Sequence, residues 1–231
     1  MIQLVILGGS NAYWEITELI RDINAVENKY EIIAVLDDDK GIIGKNFDGV
    51  IVDGPLEKAL TFSRDVKFIF AIGSYKTRII RSAILKRLNI NESRFETLIH
   101  PSAKIFSTAT VGNGCIIHYG TIVFNHTKIS SFCVIAANCV IAVSNYIGRG
   151  ALLGSGIITT TGVKIGSYSF IGSGTLIGEY IEIEPGAQVG MGSLILKNIK
   201  AGTFVLGNPP KTLDKIEVPE EILTDWRNSL T

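Results

Sequence analysis

From Ile105 to Ile195, every sixth residue is aliphatic in fifteen of sixteen successive hexads, Thr159 being the exception. A period of six matches neither a helix nor a lone strand. It does match a short strand of inward and outward residues followed by a turn, repeated as a solenoid. The residue four places on is usually small, as at Ala109, Cys115, Thr121, Thr127, Cys133, Cys139, Ala151, Ser169, Thr175, Ala187 and Ser193, and predicts a second inward column. Glycines such as Gly114, Gly150 and Gly162 gather at the remaining positions, where tight corners demand positive φ. Three hexads per triangular coil give a little over five coils. At roughly 4.8 Å per coil the prism is about 25 Å long. Each inward aliphatic contributes ~1.5 to 3 kcal/mol of gross burial against chain entropy, so the design needs no metal or disulfide.

The pattern changes near His100, which divides the 231 residues into two domains. With 22 basic and 22 acidic residues the chain has no electrostatic footprint for nucleic acid. The start MIQLVILGG lacks a charged leader region, and the longest apolar stretches are broken well short of a membrane span. The expectation is a soluble cytoplasmic protein with no membrane or nucleic-acid partner. Cys115, Cys133 and Cys139 all fall at the small inward position, where a thiol is expected to act as a compact apolar filler. No Cys/His ligand spacing is present, so no metal site is expected.

Residues 2–9 (IQLVILGG) read as a buried parallel strand, followed by Ser10 and Asn11 as helix caps and a helix over Tyr13 to Ile23. A second strand, EIIAVLDDD, ends at Asp37, Asp38 and Asp39. A third, VKFIFAIG, ends at Gly73, before a helix predicted from Tyr75 to Leu88. This alternation predicts a small doubly wound α/β sheet, whose ligands bind at the carboxyl ends of the strands. Those ends are Gly8, Gly9 and Ser10, then Asp37 and Asp38, then Gly73 and Ser74. GGSNAY lacks the full dinucleotide fingerprint, and about 100 residues are too few for a two-half dinucleotide domain. A nucleotide or nucleotide sugar is the better fit; the plain alternative is a tight glycine turn beside a solvated acidic loop.

GGS, LDDD and AIGS after successive strands, then HPSA, the hexads and a GNPPK close, form a specific combination. It resembles the bacterial sugar acyltransferases of the left-handed β-helix superfamily, which include the bacillosamine-pathway N-acetyltransferases and sialic acid O-acetyltransferase-like proteins. The resemblance runs from Ile2 to Leu213. It implies a Rossmann-like nucleotide-sugar-binding domain over 1–99 and a left-handed parallel β-helix over 100–213. The tail 214–231 is expected to be helical. It further implies a UDP- or dTDP-linked amino sugar as substrate, acetyl-CoA as co-substrate, and a homotrimer with CoA in a groove between neighbouring helices. Carried over by position, Asp37 and Asp38 match the acidic pair at the pyrimidine, where a carboxylate accepts from a ring N–H. Gly8, Gly9, Ser10, Gly73 and Ser74 match the loops around the sugar nucleotide. Gly172, Gly190, Asn208, Pro209 and Lys211 match the CoA groove, and Thr161 falls there in place of the family's glycine-rich corner.

The chain departs from that pattern where the chemistry is expected. The family's basic histidine falls on Val143, followed by Ser144, and its N-terminal glycine and histidine fall on Asn11 and Ala12. Valine accepts no proton. His126, one coil before and on the same edge, is the remaining candidate base; His118 and His100 are assigned structural roles. A neutral amine attacks a thioester without a protein base, whereas an alcohol needs one. N-acetylation of a nucleotide-linked amino sugar is therefore the first reading, sugar O-acetylation the second. A non-catalytic sugar-nucleotide-binding relative is the third. The register itself is testable: Ile141→Asp places an unpartnered carboxylate in the inward column and should cost several kcal/mol. A folded variant with unchanged melting temperature would refute it.

Overall fold

The structure is a computed structural model describing residues 1–230. The N-terminal domain carries β1 (Ile2–Leu7), α1 (Asn11–Val26), β2 (Tyr30–Leu36), a hairpin of β3 (Asn46–Phe47) and β4 (Val50–Ile51), β5 (Lys67–Phe70) and α2 (Ile80–Leu88). Strands β2, β1 and β5 pair in parallel in that order. Alternation along β1 sends Leu4 and Ile6 to the core beneath α1, with Tyr13, Ile16 and Ile20, and Val5 and Leu7 to the opposite core with Leu88 and Phe95. The sheet is covered on both faces, as the sequence pattern predicts.

Helix α2 starts five residues later than predicted. Ser74 and Thr77 form a hydrogen-bonded turn, with the Ser74 N–H donating to Thr77 Oγ1 at 2.8 Å and the Thr77 N–H to Ser74 O at 3.1 Å. The apolar spacing read as a first helical turn instead belongs to a loop that carries Arg78 to the solenoid.

The second domain is a left-handed parallel β-helix whose sixteen central strands are two residues long, from Lys104–Ile105 to Leu194–Ile195. Residues eighteen apart pair directly, as in Ile122↔Val140, Lys128↔Tyr146 and Val134↔Leu152, so three hexads make one coil. The prism has three faces. The first contains Ile116 and Leu152, the second Ile122 and Ile158, the third Lys128 and Lys164. The edge between first and second faces is called the first edge; the second and third edges follow in chain order.

The small inward position turns out to be a donor position as well as a narrow one. Thr121 Oγ1 donates to Ala136 O at 2.9 Å, Thr127 Oγ1 to Ala142 O at 2.7 Å and Ser169 Oγ to Glu184 O at 3.1 Å. The cysteines do the same: the Cys115, Cys133 and Cys139 thiols donate to Ser130, Gly148 and Gly154 carbonyls at 3.1 Å each. Every one of these bonds spans fifteen residues and satisfies a corner carbonyl of the next coil. The thiols are therefore more than apolar fillers, and burial pushes those of Cys133 and Cys139 up, keeping them protonated. Thr159, the break in the aliphatic column, is buried and accepts the Ala142 N–H at 3.0 Å.

Corners use the left-handed backbone region whatever the residue: His126, Phe132, Ser144, Tyr168 and Tyr180 have φ between 54° and 63°. Bulk in one coil is matched by its lack in the previous one. A Cβ on Gly150 would lie 2.5 Å from the Tyr168 ring. Beyond the last coil, a hairpin of Thr203–Gly207 and Pro210–Lys215 extends the first face, and α3 (Glu220–Ser229) packs back through Ile222 and Trp226, the latter 5.5 Å from the Tyr146 ring.

Thr127 Oγ1 also accepts the Asn145 N–H at 3.2 Å. Thr127→Val preserves shape but removes one of the two donors to Ala142 O and leaves the buried Asn145 N–H without its acceptor, and should lower stability by ~1 to 3 kcal/mol in denaturant unfolding. Thr127→Ser should recover most of it. Equal stability of the valine variant and wild type would rule out the ladder as a stabilising device.

Candidate functional site

At the strand tips, Gly8 has φ +114°, donates its N–H to Leu36 O at 2.8 Å, and lies so close to the neighbouring tip that a Cβ would meet Ile72 at 2.8 Å. Asp37 ties the tips together: one carboxylate oxygen accepts the Gly9 N–H at 2.7 Å, the other the Asp39 N–H at 2.8 Å. Asp38 faces elsewhere. It accepts the Leu56 N–H at 3.0 Å and pairs with Arg87 at 2.6 Å on the outer flank of the domain. Partial desolvation opposes its ionisation, but the hydrogen bonds from Arg87 and Leu56 outweigh that and hold its carboxyl below the usual range. The two aspartates predicted to share one site thus have different bonding, and Asp38 is committed to a structural one.

The domain docks on the first face of the prism, where Ile116 and Leu152 are buried beneath it. Two arginines fix its position. Arg81 is fully buried and donates to Gly150 O at 2.7 Å and Phe132 O at 2.9 Å, two corner carbonyls one coil apart on the third edge. Arg78 reaches Gly186 O on the same edge at 3.2 Å. Gly73, predicted to border a ligand, sits against Arg81: a Cβ there would be 3.2 Å from its Nε. In the sequence Arg78 and Arg81 look like the solvated side of an amphipathic helix, so neither was singled out as functional.

With the third edge locked, the domain opens towards the first edge. A cavity of about 160 Å³ is bordered there by Ala12, Glu15, Gly73 and Ser74 of the lid and by His118 and Gly154 of the prism, over an apolar floor that includes Ile116 and Phe170. A second cavity of about 360 Å³ adjoins it, with Glu15, Glu18 and Asp22 of α1 facing His100, His118, Tyr119 and Ser155. Glu15 and His118 line both. Desolvation pulls the His118 imidazole below its ordinary pKa, against the opposing pull of the Glu15 carboxylate. A larger cavity of about 530 Å³ lies on the third edge, but its Arg149 and Lys86 are already paired with Glu92 and Glu221.

The predicted site residues fall into separate groups within one chain. Gly73 and Ser74 line the first-edge cavity, while Gly8, Gly9, Ser10 and Asp37 hold the neighbouring strand tips. Gly172 and Gly190 are first-edge corners, and Asn208 and Pro209 form the turn of the terminal hairpin, with exposed Lys211 on its return strand. Thr161 and His126 lie on the second edge with Val143. His126 occupies the corner itself, exposed, its backbone N–H donating to Thr108 Oγ1 at 3.0 Å. The cavity shared by lid and prism does not include it. Glu15 was missed in the sequence, and His118 was assigned a structural role; only the packing of α1 on the prism brings the two together.

Residues 4–85 match the family model described as the PglD N-terminal domain. The match lies within the N-terminal domain and covers about a third of the chain. A UDP-N-acetylbacillosamine N-acetyltransferase of Bacillus subtilis (strain 168) is 34% identical over 106 residues, 43% of this chain and 45% of that protein. The alignment therefore spans under half of the curated relative. Solved structures extend the likeness in fold to nearly the whole chain. The acetyltransferase domain of PglB from Neisseria gonorrhoeae FA1090, in complex with acetyl coenzyme A, has a TM-score of 0.79 at 22% identity, covering 92% of this chain and 99% of that one. A mutant perosamine N-acetyltransferase from Caulobacter crescentus, in complex with CoA and GDP-perosamine, has a TM-score of 0.79 at 21% identity, covering 92% and 97%. WeeI from Acinetobacter baumannii AYE has a TM-score of 0.78 at 22% identity, covering 92% and 100%. A small α/β domain followed by a left-handed β-helix is the arrangement the sequence resemblance implied.

The Asp38 pair gives a pH signature. Its folded-state pKa is depressed, so its stabilisation is present above the unfolded value of ~3.9 and is lost as pH falls through the folded one. The pair is half exposed, so Asp38→Ala should cost only about 1 kcal/mol at neutral pH. The difference from wild type should vanish near pH ~2. A difference independent of pH would show that charge plays no part.

Proposed function

We propose that the protein is an acetyl-CoA-dependent N-acetyltransferase acting on a nucleotide-linked amino sugar, and that it works as a homotrimer. The observation that carries the reading is the second face of the prism. After Lys104 in the first coil, its outward residues are Ile122, Val140, Ile158, Leu176 and Leu194, with Ile158 and Leu176 each 44% exposed, whereas the third face presents Thr110, Lys128, Tyr146, Lys164 and Glu182. A bare aliphatic stripe between a polar face and one already covered has the character of an association surface. Packed around a threefold axis, it sets the first edge of one subunit beside the second edge of the next. The lid cavity, Gly172 and Gly190 would then share a cleft with the neighbour's Thr161 and Val143, gathering the candidates that one chain keeps apart.

In such a cleft the lid holds the sugar nucleotide and the paired edges hold acetyl-CoA. The amine attacks the thioester carbonyl carbon; the C–N bond forms, the C–S bond breaks, and N-acetyl sugar and CoA thiol leave. Positioning and polarisation of the carbonyl supply most of the acceleration. The relative in complex with acetyl-CoA and the relative in complex with CoA and GDP-perosamine support both substrate classes. UDP, dTDP and GDP carriers are all in scope. Among the described residues no helix is long and apolar enough to cross a membrane, and reliance on acetyl-CoA favours the cytoplasm. Val143, which accepts no proton at the second edge, favours a second reading as a sugar-nucleotide-binding protein.

Incubation with acetyl-CoA and a panel of UDP-, dTDP- and GDP-linked amino sugars, with free thiol as readout, separates the two readings. Thiol release supports transfer; tight sugar-nucleotide binding without it supports the binding protein. Light scattering should give three times the chain mass of 25.0 kDa. Leu176→Glu, on an exposed site, should yield a folded monomer that has lost transfer, and an active monomer would overturn the shared cleft.

A further inference from the structure

We infer that His118, assisted by Glu15, accepts the proton that the sugar amine loses during transfer, so that the base sits on the first edge, in the same chain as the lid. The inference rests on the acetyltransferase reading.

His118 is where the two first-edge cavities meet, beside the Gly73 and Ser74 tip, and among the described residues neither ring nitrogen has a hydrogen-bond partner. His100, close by, contrasts with it: one ring nitrogen lies 3.1 Å from Asp22 and the other 2.8 Å from the Ser102 hydroxyl, so that ring is fully employed. His126 is a solvent-exposed corner on another edge.

The groups facing His118 are Glu15, Glu18 and Asp22 from α1 and His100 and Tyr119 from the prism. Desolvation and His100 favour its neutral form, and Glu15 favours the imidazolium once formed. That combination leaves the ring unprotonated before reaction and stabilised after it. Carboxylates along the same wall would attract a cationic amine. His118 takes one proton from the bound ammonium and so frees the nitrogen lone pair that forms the C–N bond; the C–S pair leaves with sulfur, the second N–H proton lost as the amide forms goes to the thiolate, and His118 returns its proton to water.

The test uses His118→Gln in the full chain, assayed with acetyl-CoA and whichever nucleotide-linked amino sugar wild type acetylates. The expected result is a fall in kcat of about 100-fold with KM within about threefold, the usual scale for loss of a general base. Sugar-nucleotide affinity by calorimetry and melting temperature should stay at wild-type values. Glu15→Gln removes a charge that stabilises the imidazolium, so the acid limb of its pH–rate profile should move to lower pH. In unmodified protein, NMR titration of the His118 ring should give the pKa of that limb, which keeps the test open if the glutamine variant misfolds. His118→Gln with near wild-type kcat, or a ring pKa unrelated to the limb, overturns the inference and leaves the transferase standing. Absence of transfer by wild type to any amino sugar overturns the transferase reading and this inference with it.

Discussion

The eighteen-residue register is the constraint on which the rest of the molecule depends. Because Ile122 stacks on Val140 and Lys128 on Tyr146, any property of one hexad position becomes a column running the length of the prism. An inward column of aliphatics supplies the core. A second column of Thr, Cys and Ser satisfies corner carbonyls that a purely apolar interior would orphan. Outward columns give each face one character: covered on the first, bare and aliphatic on the second, polar on the third. Corner carbonyls outside the Thr, Cys and Ser column, those of Phe132, Gly150 and Gly186, are left on the third edge for the docking arginines.

Docking shows the cost of using an edge. Arg81 gives up all its water without gaining a carboxylate, and burial pushes its guanidinium down to about 10. It stays charged at neutral pH, so folding bears a desolvation penalty of a few kcal/mol. Two corner carbonyls and the face of Phe70, 5.3 Å away, offset that penalty. A fork that spans two coils at once also fixes height and rotation, which an apolar contact would not. With Arg78 it pins α2 to the third edge, leaving α1 and the β5 tip to overhang the first.

The fold was legible because its signals are periodic and local. Hexad spacing, the two inward columns and the strand and helix alternation of the lid each repeat within a few residues. Where a local signal was ambiguous, tertiary bonding decided: Tyr75 to Ile79 have helical apolar spacing, yet the Ser74–Thr77 turn and the reach of Arg78 to Gly186 keep them out of α2. The site was less legible because its parts come from different columns. Asp37 and Asp38 are neighbours in sequence and partners of opposite sides, one clasping Gly9, the other Arg87. His118 and Glu15 are separated by a hundred residues, and nothing in either local sequence marks the pair. A hexad count assigns a residue to an edge; it does not say which domain overhangs that edge.

The acidic wall and the free imidazole make chemical sense only together. Glu15, Glu18 and Asp22 favour a cationic amine, and by the same Coulomb interaction they raise its pKa and hold it in the protonated form that cannot attack a carbonyl. A cavity that selects an amine over a hydroxyl in this way therefore carries a kinetic burden that grows with its selectivity. A desolvated, unpartnered imidazole within the same walls relieves it, because desolvation keeps the ring neutral and the carboxylates then stabilise the proton it takes up. A hydroxyl acceptor would gain nothing from the carboxylates and would need a stronger base. Within the transferase reading, the composition of the first edge favours an amine over a hydroxyl as the acceptor, by physical chemistry that is independent of any likeness to other proteins.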